Sequence, residues 1–233
     1  GTRGRGNTGT DLNAIPAAAI ERIEILRDGA AAQYGSDAIA GVINIVLKNR
    51  VNELTANVNS GVYVAKYRPD NQAFDGLNYN ANVNYGWKVA QKGFINVTAD
   101  YNHKNHTNRA YAQPNENLVR REYGDPSQDN MALYYNGEAP VFKQFSIYSF
   151  GGVNRRQGDS YAWTRFKDDD RNIPSIYPNG FDPIISAKIH DVASTVGIRG
   201  EWKSWQLDLS NTYGINKFHF FVNNTLNTSF GLN

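Results

Sequence analysis

The chain has 233 residues, and its 24 basic and 22 acidic side chains give a formal net charge of +2 at pH 7. So small a charge excludes a nucleic-acid partner held by bulk electrostatics. The chain has no cysteine, which excludes disulfides, a thiol nucleophile and a thiolate metal site. No apolar run approaches the roughly 18 residues of a membrane-spanning helix. A membrane strand remains possible, because it hides its apolar residues at alternate positions.

The first 50 residues predict a small mixed α/β unit. Residues 1–13 are rich in glycine and predict a loop, after which Pro16 can open a short helix over Ala17–Ile20. Alternating isoleucines predict a strand over Glu21–Arg27, and Asp28-Gly29 predicts a turn. The sequence then predicts a helical segment over Ala30–Tyr34, a turn over Asp37–Ala40 and a buried strand over Val42–Leu47.

From residue 52 onward, apolar and polar residues alternate with a period of two. The clearest example is Leu77–Lys88, in which apolar or aromatic residues alternate mostly with asparagine. Each such strand has one apolar face and one polar face. Seven strands are predicted, of which the fifth has mixed faces: Leu54–Val64, Leu77–Lys88, Ile95–Asn102, Met131–Val141, Phe145–Arg155, Val192–Trp202 and Leu207–Ile215.

Short and long connections alternate between these strands. The short ones are Val89–Lys92, Phe142–Gln144 and Lys203-Ser204, whereas the long ones cover residues 66–76, 105–128 and 164–189. Outer-membrane barrels have short turns at one end and long loops at the other, with aromatic residues at the interface. A soluble β-sandwich also gives half-polar strands and stays open at this point. The aromatic residues that flank the short turns are Trp87, Phe94, Phe142, Phe145, Trp202 and Trp205.

A second and more specific signal lies at residues 15–48. It consists of Ile15-Pro16, IERIEILR over residues 20–27, Tyr34-Gly35 and AGVINIVLK over residues 40–48. This segment resembles the end of the plug domain of TonB-dependent receptors, where the pattern is I-E-R-I-E-V-L-R-G-P, a Y-G pair and G-G-V-I-N-I. Asp28-Gly29 and Ala40-Gly41 stand where many members have Gly-Pro and Gly-Gly, and this version resembles a subgroup of the family. Residues 224–231 (NTLNTSFG) also resemble the barrel part of such receptors.

The resemblance implies a mainly β fold, an antiparallel up-and-down transmembrane barrel with a plug. Residues 1–50 are then the C-terminal part of the plug domain, a small α/β segment. Residues 51–233 are about the first seven strands of a barrel of about 22 strands, which is wide enough to need a plug. The chain starts in mid-pattern at Gly1, and we expect it to be a fragment.

The resemblance also implies a function. Receptors of this family take up a scarce solute, such as a ferric siderophore, haem, cobalamin or a glycan, across the bacterial outer membrane. TonB, with ExbB and ExbD, acts from the periplasmic side, and the plug rearranges. We expect no cofactor and no enzyme, since no Ser-His-Asp set or nucleophile elbow stands out. Two other classes stay open: a passive porin-like channel and a structural or adhesive surface barrel.

The motif residues have a structural interpretation. Glycines suit the points where the chain turns between packed elements, and Ile23, Ile25, Val42, Ile43 and Ile45 can supply a plug core. The charged residues either pair with the barrel wall in its lumen or are solvated. The residues that carry the motif are Ile20, Glu21, Arg22, Ile23, Glu24, Leu26, Arg27, Tyr34, Gly35, Gly41 and Asn44.

The glycine-rich start of the chain is a candidate ligand contact. By the family resemblance, the segment before the IERIE strand is often an apical loop of the plug, so Arg3, Arg5 and Asn7 are candidates to contact a polar or anionic ligand. The alternative is a plain flexible loop. Gly4, Gly6 and Gly9 suggest a phosphate loop, but no strand precedes them and no Lys-Ser/Thr follows.

No metal site is predicted. His103 and His106 are three residues apart at a strand end, which puts them on opposite faces. Asp168-Asp169-Asp170 lacks the spacing of a calcium loop and is expected to be solvated. His190 and His219 are isolated in sequence.

Overall fold

In the computed structural model, which describes residues 11–27, 34, 41–68, 71–110 and 120–230, nine strands form two antiparallel sheets. β1 pairs with β2, and β3–β9 form a seven-stranded sheet in sequence order. No helix within these residues is long and apolar enough to cross a membrane. The strands are β1 Ile20–Leu26, β2 Val42–Leu47, β3 Leu54–Arg68, β4 Asn71–Val89, β5 Gly93–Lys104, β6 Ser127–Phe142, β7 Phe145–Tyr161, β8 Ile184–Trp202 and β9 Trp205–Asn223.

Residues 1–50, which we call the plug-like segment, are mainly β in the part that the structure describes. Pro16 precedes a single 3₁₀ turn at Ala17–Ala19 rather than an α-helix, because β1 begins at Ile20 and leaves no room for a second turn. Gly41, at the start of β2, has φ +123°, and a Cβ there would lie 2.6 Å from the carbonyl oxygen of Leu26. Only glycine accepts this backbone. Tyr34 is helical, and the rest of Ala30–Tyr34 and all of Asp37–Ala40 lie outside the described residues.

The predicted strands all occur in the seven-stranded sheet, and most are longer than predicted. The largest difference is at residues 66–76, which the sequence assigns to a long loop. Pairing of β3 with β4 instead continues to Arg68 opposite Asn71, because the ladder depends on backbone groups that do not need the alternation of side chains. The ambiguous strand β7 pairs with β8 along its full length and with β6 from Phe145 to Asp159.

The register gives the seven-stranded sheet two chemically distinct faces. One cross-strand row contains Ala56, Val83, Ala99, Leu133, Val153, Val192 and Ile215. We call its side the apolar face. The opposite side, the polar face, carries Asn84, Asn96, Thr98, Asn130 and Asn154, all less than 9% exposed. On the apolar face, Val58 is 81% exposed and Leu209 is 75% exposed. The sheet therefore covers its polar side and exposes its apolar side.

The aromatic residues at the short turns lie mostly on the apolar face. Trp202 is paired with Trp205, and both are more than half exposed. A bulge between Pro140 and Phe142 brings Phe142 opposite Phe145 on the same side. Phe94 is the exception, because it pairs with Glu138 on the polar face. We call this end of the sheet the short-turn end, and the end with residues 105–126 and 162–183 the long-loop end.

Candidate functional site

The plug-like segment lies against the polar face of the seven-stranded sheet, which we call the wall. Ala19 packs with Ala132 and Tyr134 in one buried cluster, and the three are 4%, 6% and 7% exposed. Ile15 and Leu47 pack against this cluster from the plug side. The small side chain of Ala19 lets the 3₁₀ turn approach the sheet closely, so a single apolar contact fixes the segment at the middle of the wall.

Side-chain amides of the wall hold the chain that leads from β2 into β3. Asn96 donates from Nδ2 to the carbonyl oxygen of Arg50 at 2.9 Å, and Asn136 donates to that of Lys48 at 3.1 Å. The backbone N–H of Asn52 donates to the carbonyl oxygen of Gly86 at 2.7 Å. The backbone N–H groups inside the sheet already bond to neighbouring strands, so asparagine side chains supply the donors to this linker.

An ion pair fixes the other end of the segment. The carboxylate of Asp11 accepts from Nη2 of Arg156 in β7, and the Asp11 and Arg156 side chains are only 24% and 14% exposed. Partial burial opposes ionisation, but the Asn13 amide and the Arg156 guanidinium together hold the pKa of the Asp11 carboxyl below its ordinary value. Asp11 is therefore ionised at neutral pH and ties the plug side to the long-loop end of the wall.

Amides also satisfy one another across the polar face. Asn84 donates to Asn96 Oδ1 at 2.5 Å and to Thr98 Oγ1 at 2.7 Å. Asn154 donates to Asn130 at 3.0 Å. Buried polar groups are costly unless hydrogen-bonded, and this amide ladder meets most of that requirement. The exception among these amides is Oδ1 of Asn154, which has no hydrogen-bond partner within the described residues. The ladder explains why asparagine alternates with apolar residues in β4.

A cavity of about 610 Å³ separates part of the plug-like segment from the wall. Its plug side is apolar and includes Ile20, Ile23 and Ile45, whereas its wall side includes Asn80 and Asn130. The contact between plug and wall is thus discontinuous: a few fixed points surround a space large enough for several waters.

The charged residues of the motif pair with one another or with Arg50, which lies in the linker between β2 and β3. They do not pair with the wall in the part of the chain that the structure describes. Glu21 accepts from Arg50 at 2.8 Å, and Arg22 lies 2.7 Å from Glu24. Hydrogen bonds from Asn44 and then from Arg22 hold the pKa of the Glu24 carboxyl below its ordinary value. Pairing with the wall was one of the two alternatives left open for these charges, and among the described residues Glu21, Arg22 and Glu24 are paired instead with one another or with the linker. Arg27 is exposed beyond the end of β1.

Three of the five residues that can supply a plug core are exposed, whereas Val42 and Ile45 are half-buried. Ile23, Ile25 and Ile43 are 56%, 61% and 56% exposed. A two-stranded sheet has no second layer of its own to cover them. The buried apolar contact of this segment instead comes from Ala19, which the motif did not single out.

The candidate ligand residues Arg3, Arg5 and Asn7 lie outside the described residues, as does Gly35 of the motif. Asp11, four residues after Asn7, is the first described position.

At the long-loop end, arginines that the sequence analysis missed connect the described parts of the two loops. The guanidinium of Arg120 lies 5.2 Å from the ring centres of both Tyr123 and Trp163. Arg121 pairs with Asp182 at 2.8 Å, and Asp182 also accepts from Thr164 at 2.5 Å. The adjacent Arg120-Arg121 pair was the available signal, but Trp163 and Asp182 lie more than 40 residues away and give no local pattern.

The histidine and aspartate candidates have ordinary structural partners. His103 contacts Asp129 at 2.8 Å, whereas His106 lies 3.8 Å from Glu122. Asp169 accepts from Nε of Arg171 at 2.8 Å, and this bond is the main reason that the pKa of its carboxyl lies well below the ordinary value. Within the described residues, no group of three or more metal-ligating side chains could hold a metal ion.

Comparison with known proteins gives a consistent family. The family model described as the TonB-dependent receptor plug domain matches residues 1–42. The chain is 50% identical over 58 residues to a probable TonB-dependent siderophore receptor of Acinetobacter baumannii, covering 25% of this chain and 8% of that protein. It is 45% identical over 58 residues to a ferric enterobactin receptor of Pseudomonas aeruginosa, with the same two shares.

A third relative carries a different solute in its name. A vitamin B12 transporter of Photobacterium profundum is 49% identical over 51 residues, which is 22% of this chain and 8% of that protein. The chain therefore spans less than a tenth of the length of these curated relatives. No solved structure matches the chain significantly.

Proposed function

We propose that this chain, which carries the plug segment of a TonB-dependent receptor, is the gate and part of the wall of an energised outer-membrane transporter for a scarce solute. Its domains divide near residue 50, with the end of the plug before that point and the first seven barrel strands after it. The alternatives are a passive porin-like channel and a structural or adhesive surface barrel.

The observation that carries the proposal is the inverted burial of the large sheet. Asn96 and Thr98 are each 2% exposed on the polar face, whereas Leu133 is 51% exposed on the apolar face. A soluble sandwich does the reverse, because its two sheets bury their apolar faces against each other. Soluble proteins also rarely expose so large an apolar surface. Lipid against the apolar face removes this cost.

Three hydroxyl groups in the middle of the apolar face satisfy one another, as lipid requires. The hydroxyl of Tyr135 lies 2.9 Å from Oγ of Ser149 and 2.7 Å from Oγ of Ser194. All three side chains are on the apolar face by the register of β6, β7 and β8. The edges of the sheet at β3 and β9 have no partner strand in the described chain. In lipid such edges must be closed by further strands, which favours a larger barrel.

The attached plug segment favours a gated receptor over an open channel. Its contacts with the wall are an ion pair, a few hydrogen bonds and one small apolar cluster around Ala19. Each hydrogen bond contributes about 0.5–1.5 kcal/mol net, because water can replace the partner. A pulling force can therefore move the segment stepwise while water enters the cavity beside it.

The partners and the solute follow from the family. We propose TonB, with ExbB and ExbD, as the source of force at the short-turn end, which then faces the periplasm. A ferric siderophore or cobalamin has the most support, because the relatives named above are siderophore receptors and a vitamin B12 transporter. Arg3, Arg5 and Asn7 are proposed to contact the solute, since Asp11 shortly after them is held near the long-loop end.

A reversible lock on the plug tests this function. In the full-length receptor, Ala19→Cys combined with Ala132→Cys places two thiols in the buried contact between plug and wall. Uptake of radiolabelled ferric enterobactin and of cyanocobalamin is measured in cells before and after oxidation. We expect uptake to stop on oxidation, to return with dithiothreitol and to be abolished by a protonophore.

The two single-cysteine variants are the matched controls and should transport under both conditions. Uptake of either solute that continues through a fully cross-linked receptor contradicts the moving plug. Uptake that is insensitive to the protonophore favours the passive channel, and the absence of any receptor-dependent uptake of tested solutes favours the structural barrel.

A further inference from the structure

Five basic side chains form a patch on the apolar face, at the long-loop end of β7, β8 and β9. Arg155, His190 and Lys217 lie in one cross-strand row, directly opposite one another. Lys188 and His219 lie opposite each other in the next row toward the loops. Directly opposed side chains in a sheet have Cβ atoms about 5 Å apart. We call Arg155, Lys188, His190, Lys217 and His219 the basic patch.

The basic patch has no acidic partner among the described residues. The register places Asp129 and Asp159 on the same face, but Asp129 contacts His103 at 2.8 Å and Asp159 accepts from the hydroxyl of Ser186 at 2.5 Å. Within the described residues neither carboxylate forms an ion pair with the basic patch. On the polar face, by contrast, Arg156 and Arg199 are each paired with a carboxylate. Three of its members, Arg155, Lys188 and Lys217, are permanent cations on three adjacent strands. Within the described residues none of the three is paired with a carboxylate, so a bound anion is favoured there.

The basic patch borders an apolar hollow. A hollow of about 630 Å³ on the apolar face is lined by Val83, Leu133, Val153 and Val192, and it reaches Arg155 and His190 at one side. The same surface therefore offers an apolar groove that ends at a cluster of cations. This combination fits an amphipathic molecule with an anionic head and a hydrocarbon tail.

We propose that the basic patch and the hollow bind one phosphate-bearing lipid, with its headgroup on Arg155, His190 and Lys217 and an acyl chain along Val153 and Val192. The proposal rests on the proposed insertion of the sheet in a membrane. A phosphate suits the site because guanidinium and ammonium groups donate charge-assisted hydrogen bonds to its oxygens. A lipid suits it better than a soluble anion because the cations lie where the apolar surface ends, at headgroup level.

The basic patch occupies only three of the seven strands of the sheet. It is confined to β7, β8 and β9, whereas the corresponding rows on β4, β5 and β6 carry Tyr79, Tyr101 and the paired His103 and Asp129. We therefore expect one localised lipid site within this stretch of wall, rather than a ring of nonspecific contacts.

Binding is tested on the full-length receptor in a neutral detergent. Native mass spectrometry follows the addition of dioleoylphosphatidic acid, with dioleoylphosphatidylcholine as the matched lipid of zero net charge. The test variant combines Arg155→Gln, Lys188→Gln and Lys217→Gln. The control variant removes the same charge at the short turns by Lys92→Gln, Lys143→Gln and Lys203→Gln. We expect the wild type to prefer phosphatidic acid and the test variant to bind it roughly 100-fold more weakly. The control variant should bind it as the wild type does.

Three outcomes overturn the lipid site: equal binding of the two lipids by the wild type, equal binding of phosphatidic acid by the wild type and the test variant, or an equal loss in the control variant. The first outcome does not depend on the folding of any variant. Insertion is measured separately, by tryptophan fluorescence on mixing with pure phosphatidylcholine vesicles. If the receptor inserts into these vesicles but shows no lipid preference, only the proposed lipid site is contradicted. If the receptor does not insert, the proposed membrane function is contradicted.

Discussion

Gly86 in β4 is in direct contact with the linker at Arg50. A Cβ on Gly86 would lie 1.9 Å from the carbonyl oxygen of Arg50 and 2.9 Å from Nδ2 of Asn96. The same carbonyl accepts the hydrogen bond from Asn96, and the carbonyl oxygen of Gly86 accepts from Asn52. Glycine at this position is therefore what allows the chain to pass from plug to wall along the polar face.

Replacing Gly86 by alanine should loosen the plug from the wall. The added methyl group must displace the linker and break both hydrogen bonds, and overpacking of this kind costs about 1–3 kcal/mol. We expect faster cleavage between residues 47 and 54 in limited proteolysis of the full-length receptor. Gly214→Ala is the matched control, since the nearest atom to its Cβ is 3.8 Å away. Equal proteolysis of both variants and the wild type would contradict the contact.

The ion pair between Asp11 and Arg156 should stabilise the plug in a pH-dependent way. Asp11 has a lowered pKa in the folded protein, so its contribution is fully present above the pKa of an unfolded aspartate, about 3.9. The contribution is lost as the pH falls through the lower folded value. We expect Asp11→Asn to lower the apparent melting temperature at pH 7, and we expect this effect to shrink progressively as the pH falls below about 3.9.

Arg156→Gln supplies the second arm of a double-mutant cycle with Asp11→Asn. A partly buried pair of this kind should give a coupling of about 1–3 kcal/mol at pH 7. Strictly additive effects of the two substitutions on thermal unfolding would show that the two side chains do not interact.

An asparagine-to-leucine change should have opposite effects on the two faces of the sheet. Asn96→Leu removes the hydrogen bond to the Arg50 carbonyl, whereas the Asn84 amide keeps its bond to Thr98. A buried group that is left unsatisfied costs about 1–3 kcal/mol. Asn211 lies opposite Val196 on the apolar face, where leucine meets lipid. We expect Asn96→Leu to lower the thermal stability of the receptor in lipid vesicles and Asn211→Leu to leave it unchanged or raised. Destabilisation by both would contradict the assignment of the faces.

A charge in the middle of the apolar face should prevent stable insertion. Leu133→Lys places an ammonium group in the row with Val83 and Val153, and lysine at the bilayer midplane costs about 2–4 kcal/mol in membrane barrels. We expect a lower apparent stability in vesicles, measured by urea unfolding monitored through tryptophan fluorescence. Ile25→Lys is the control, because Ile25 is 61% exposed on the plug hairpin. Equal tolerance of both changes would mean that the apolar face does not meet lipid.

The sequence by itself determined the strands, the chemistry of their faces and the family. The alternation from Leu54 to Trp87 indicates which residues share a face of the sheet, because this pattern is local and can be read from the sequence alone. The plug motif at residues 15–48 was sufficient to indicate the family before any contact was known. Its glycine at Gly41 could be assigned a turning role because the constraint on φ is local as well.

The tertiary structure alone decided what the plug touches. Asp11 and Arg156 are 145 residues apart, and Ala19 meets Tyr134 across a similar span of chain, so no periodic pattern links them. Glu21 and Arg50 are 29 residues apart, and Arg50 lies beyond the end of β2, so their pairing also depends on the folded chain. Likewise, the basic patch exists only because the register of β7, β8 and β9 sets Arg155, His190 and Lys217 side by side. Local sequence encodes which face a residue occupies, whereas partners across strands depend on registers that only the folded chain defines.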